Sequence, residues 1–70
     1  MTEAVDKPVV QMYEAYLWPY SDTQEALVGN VTGHPRFPEG KLITTSIIQW
    51  KENDLVETEN TIYQVMSWAT

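Results

Sequence analysis

The residues best equipped for chemistry lie in three short stretches of the chain. His34 and Arg36 sit in Gly33-His34-Pro35-Arg36-Phe37-Pro38-Glu39-Gly40, where two glycines and two prolines forbid regular pairing and build a stiff loop. Thr44-Thr45-Ser46 follows it, and Thr58, Asn60, Thr61 and Tyr63 come later. Small hydroxyls and an amide in strand interiors are, apart from threonine, weak strand formers, so their concentration beside the loop needs a reason. One reason is a polar pocket. There Arg36 would grip a phosphate or carboxylate bidentately, His34 and the hydroxyls would complete the hydrogen bonds, and Tyr63 or Phe37 would stack on a ring. The other is plain decoration of an exposed sheet face by cross-strand hydroxyl pairs, with Arg36 packed on Phe37 or paired with Glu39. Both readings stay open, and the residues at stake are His34, Arg36, Thr45, Ser46, Thr58, Asn60 and Tyr63.

Other chemistry finds little support in the residue types. A nucleophile needs a positioned base, and the chain has one histidine and no cysteine. One histidine among scattered carboxylates gives no metal-ligand spacing, and neither a phosphate-binding P-loop nor a dinucleotide glycine motif is present. Glu57 and Glu59 alternate along a strand-like segment, which places them on one solvated face rather than in an acid–base pair. The expectation is a protein with no catalytic constellation, no metal and no cofactor.

Charge narrows the partners. Ten acidic residues against four basic ones leave a net charge of −6, which repels nucleic-acid backbones and suits a basic protein surface. Glu52, Asp54, Glu57 and Glu59 are the expected acidic interaction face. No apolar run approaches the roughly 20 residues of a membrane-spanning helix, and Glu3 and Asp6 precede Lys7, so the chain reads as neither membrane-spanning nor secreted. Asn30-Val31-Thr32 matches a glycosylation acceptor but reads as strand sequence.

Positioning these groups falls to a single domain, since 70 residues hold one core at most. With 43% hydrophobic residues and no disulfide to staple it, burial must hold it together. Residues 1–8 read as a mobile tail and residues 9–70 as one β domain. The segment 9–18 has apolar side chains at both parities, the pattern of a strand covered on both faces, and Pro19 ends it. Residues 21–25 carry turn chemistry, and 26–32 is a second strand whose Gly29 marks a bulge or a close backbone approach. Residues 41–50 form the strongest strand, and Glu52-Asn53-Asp54 closes a hairpin into 55–65. The expected fold is mainly β, a four-stranded antiparallel meander or SH3-like barrel with a flexible N-terminal tail. Its expected core is Leu42, Ile43, Ile47, Ile48, Trp50, Val56, Ile62 and Val65. Tyr13, Tyr16, Trp18 and Trp68 belong either to that core or, if exposed, to a partner or self-association surface.

The run from His34 to Ser46, with Glu57-Thr58-Glu59-Asn60-Thr61-Ile62-Tyr63, resembles a pattern in small phage and prophage accessory proteins, including some anti-defence proteins. It spans about 30 residues and rests on an H-P-R, a T-S and a T-x-N-T-x-Y. The resemblance implies a stoichiometric, non-enzymatic binder in the cytoplasm of an infected bacterium. Such a protein blocks a host or immune protein, the leading expectation here, or acts as an oligomeric sponge for a phosphorylated nucleotide. A small virion or assembly component that pairs through an open strand edge is the third reading.

Overall fold

The structure, a computed structural model, describes residues 7–69, and the regular elements in that span are all strands. They are β1 (Val9–Pro19), β2 (Glu25–Thr32), β3 (Leu42–Ile47), β4 (Trp50–Glu52), β5 (Leu55–Glu57) and β6 (Ile62–Val65). One sheet holds all six in the order β3-β2-β1-β6-β5-β4. The chain is therefore mainly β, but the four-stranded antiparallel meander or SH3-like barrel gives way to six strands in a mixed sheet.

Two corrections explain the difference. The long segments 41–50 and 55–65 are each broken. Ile48 and Gln49 turn aside, their amides donating to Glu25 O at 2.7 Å and to Glu57 O at 2.8 Å. Thr58 closes a turn on Thr61, its amide and its hydroxyl both donating to that carbonyl at 2.9 and 3.1 Å. Each break satisfies backbone groups that a continuous strand would have placed in a ladder. The second correction is parallel pairing. β6 lies beside β1 in parallel, with Val9 opposite Ile62 and Met12 opposite Val65. Strands β2 to β5 intervene, a connection ample for a parallel return. Because the two edge strands are joined through Ile48 and Gln49 alone, the sheet curls over its inner face.

That inner face holds the core. Val10, Met12, Ala15, Leu27, Val31, Ile43, Val56, Tyr63 and Val65 form one buried cluster, with Leu17 and Ile48 packed against it. Of the expected core, Ile43, Val56 and Val65 are buried, Ile47, Ile48 and Ile62 half-buried, and Leu42 and Trp50 are exposed on the outer face. β1 is likewise covered on one face only, so Tyr13, Tyr16 and Trp18 face outward rather than into a core, and Trp68 is exposed too.

Local chemistry fixes these elements. Ser21 Oγ accepts from the amides of Thr23 and Gln24, holding the β1–β2 turn. Glu14, at φ 55°, is the bulge where the β1 register shifts between Tyr13 and Tyr16, and it keeps Ala15 inside and Tyr16 outside. Gly29 is a close-approach glycine: a Cβ there would stand 2.6 Å from both Met12 Cγ and Met12 Sδ. Lys7 and Pro8, which the sequence assigns to the tail, are tied to the sheet. Lys7 pairs with Glu57 and donates to Thr58 O at 3.0 Å, while Pro8 O accepts from Ile62 N at 2.9 Å. The rest of that segment lies outside the described residues.

Candidate functional site

A cleft of about 410 Å³ opens between β3, the 33–40 loop and the Thr58–Thr61 turn. All seven residues singled out for binding line it, together with Phe37, Thr44, Thr61, Pro8, Pro35 and Ile43. The polar groups thus converge, but they do not all face the cleft with spare hydrogen-bonding capacity.

The hydroxyls mostly serve the backbone. Thr45 Oγ1 accepts from Leu27 N at 2.9 Å and donates to Ser46 O at 2.8 Å, replacing a ladder bond where the β2–β3 register shifts. Ser46 Oγ accepts from Glu59 N at 3.3 Å, which latches the β5–β6 turn to β3. Thr58 is buried and spends its hydroxyl within its own turn. These three residues build the walls.

The loop presents the rest. Gly33 and Gly40 adopt φ of 78° and 77°, the left-handed region in which a side chain is strained, and they set its two ends. Glu39 does not pair with Arg36; its carboxylate accepts from Gly33 N at 2.6 Å and closes the loop base. The Arg36 amide donates to His34 Nδ1 at 3.0 Å, so that nitrogen carries no proton and Nε2–H remains to donate to Tyr63 Oη, 3.2 Å away. Burial, followed by the adjacent Arg36 guanidinium, lowers the His34 pKa from 6.5 and keeps the ring neutral at pH 7. Burial also raises the Tyr63 phenol above its ordinary value of 10.0, a hydrogen bond with the Thr61 side chain opposing it. Phe37 packs edge-on against His34, ring centroids 4.6 Å apart.

Arg36 is consequently the one charged side chain in the cleft lining. Among the described residues it makes no ion pair, whereas Lys7 and Lys51 are paired with Glu57 and Glu25. A guanidinium in one lining with an amide, Asn60, and the exposed Phe37 ring can hold an anion attached to a flat ring.

The four acidic residues fall in two places along the β4–β6 segment. β5 ends at Glu57, which pairs with Lys7, and Glu59 stands exposed in the turn that follows. Glu52 and Asp54 stand instead at the β4–β5 hairpin, in a separate groove of about 380 Å³ with Trp50, Asn53, Leu55 and Gln64. Asp54 there accepts from Trp68 Nε1 at 2.9 Å. Assigning Trp50 to the core hid this groove; the exposed parity of β4 follows only once its pairing with β5 is known. Among the described residues no group of three metal-binding side chains occurs, and no helix is long and apolar enough to cross a membrane. No protein-family model, curated protein or solved structure matches the chain.

Proposed function

We propose that this protein is a non-enzymatic binder whose cleft captures a phosphorylated small molecule bearing a flat ring, the role of a nucleotide sponge. One observation carries the reading: Arg36 is the sole charge in a lining that is otherwise neutral, polar and aromatic. In a chain of net charge −6, the surrounding acids exclude phosphate elsewhere and leave this guanidinium as a focused anion site. Its loop is already rigid, so little ordering entropy is lost on binding. The phage-type context, action in the bacterial cytoplasm and absence of catalysis belong to the same proposal and rest on the resemblance of the His34–Ser46 and Thr58–Tyr63 runs.

Native mass spectrometry of the untagged protein, incubated with AMP, tests it. A one-to-one AMP adduct present in the wild type and lost in Arg36→Ala supports the reading; an adduct of equal abundance in both overturns it.

A second reading, inhibition of a bacterial protein through a basic surface, is favoured by the groove beside Trp50. Its aromatic wall and the carboxylates of Glu52 and Asp54 fit a lysine or arginine side chain. Such binding would weaken steeply with salt and in Glu52→Lys, and insensitivity to both would remove it.

A further inference from the structure

The cleft holds one positive charge and has no second to add to it. The chain has four basic residues, Lys7, Arg36, Lys41 and Lys51, and Arg36 alone lines the cleft. Lys7 reaches the cleft wall at Thr58, but its ammonium is spent there on Glu57 and on Thr58 O at 3.0 Å. Lys51 pairs with Glu25 at 3.1 Å, and Lys41 follows the last glycine of the loop, outside the lining. His34 has both ring nitrogens engaged, Nδ1 by the Arg36 amide at 3.0 Å and Nε2 by Tyr63 Oη at 3.2 Å. Fixed negative charge stands at the rim instead. Glu59 is exposed between the lining residues Thr58 and Asn60, and its amide, donating to Ser46 Oγ at 3.3 Å, holds that position against the β3 wall. Glu39 closes the base of the loop that carries Arg36.

We infer that the cleft accepts a single phosphate group and rejects a polyphosphate chain, so its ligand is a nucleoside monophosphate rather than a di- or triphosphate. The inference rests on the cleft reading above and adds to it the number of phosphates. One guanidinium can engage one phosphate bidentately. Each further phosphoryl group brings more negative charge and must shed water, yet it finds no other cation in the lining. It meets instead the rim carboxylate of Glu59 and the field of a molecule of net charge −6. Adenosine is common to AMP, ADP and ATP, so contacts to the ring and sugar cancel across that series and the phosphates alone decide the order.

Isothermal titration of the full chain with AMP, ADP and ATP in metal-free buffer tests it. At low salt AMP should bind most tightly, ADP less so, and ATP at least about tenfold more weakly than AMP. Raising NaCl to about 0.5 M should narrow that gap, because the penalty on the added phosphates is carried by charge. Glu59→Lys, its fold checked by circular dichroism, sets a cation at the rim and should raise ATP affinity more than AMP affinity. ATP bound as tightly as AMP, or a gap unmoved by both salt and Glu59→Lys, would overturn the inference and leave the cleft reading standing. Binding of none of the three nucleotides, or AMP binding unchanged in Arg36→Ala, would overturn both.

Discussion

Arg36 supplies the charge of the cleft and His34 its alignment, and the two should separate experimentally. Arg36→Ala should weaken binding of AMP about 100-fold, and Arg36→Lys about tenfold, because lysine keeps the charge but loses the planar fork; isothermal titration checks both. For His34 the sign is fixed by its lowered pKa. The unfolded chain takes up a proton near pH 6.5 while the folded ring resists it, so stability is complete above pH 6.5 and is lost as pH falls through the lower folded value. Protonation at Nδ1 would also set a second donor against the Arg36 amide. Melting temperatures taken from about pH 7.5 to 5 should fall more steeply for the wild type than for His34→Gln. Thr45 belongs to the scaffold instead. Thr45→Val removes the acceptor for the buried Leu27 amide and should cost about 1–3 kcal/mol in urea unfolding, with AMP affinity little changed once folded.

Among the elements, β1 and β2 carry the tightest contact. Gly29→Ala would drive a methyl group into Met12, which is fully buried, and should destabilise by about 1–3 kcal/mol; pairing it with Met12→Val should restore part of that loss. This glycine, the Ser21 turn and the Asn53 hairpin, whose φ of 54° favours asparagine, were legible in the sequence because each depends on local chemistry. The convergence of His34, Arg36, Asn60 and Tyr63 was legible as residue types clustered beside a rigid loop. The parallel β1–β6 pairing was not, since both segments are equally apolar at either parity and nothing local distinguishes a parallel neighbour from an antiparallel one. For the same reason 41–50 and 55–65 read as unbroken strands. The break at Ile48-Gln49 is set by bonds to Glu25 and Glu57, and that at Thr58–Thr61 by the turn's own bonds together with the latch to Ser46.

At the scale of the molecule, two surfaces of opposite charge stand apart: a cleft whose lining carries one cation and a groove with two acids. The separation matters because a net charge of −6 would otherwise oppose anion binding. AMP binding at Arg36 should weaken with ionic strength. The most direct test of the account is an amide-detected NMR titration of the full chain with AMP, with inorganic phosphate and adenosine run separately. The cleft reading predicts saturable shifts at Arg36, Phe37, Thr44, Asn60 and Tyr63 with AMP, weaker shifts from each half alone, and none in Arg36→Ala. No shift at about 10 mM AMP, where binding would be worth under about 3 kcal/mol, or shifts that persist in Arg36→Ala, would contradict it.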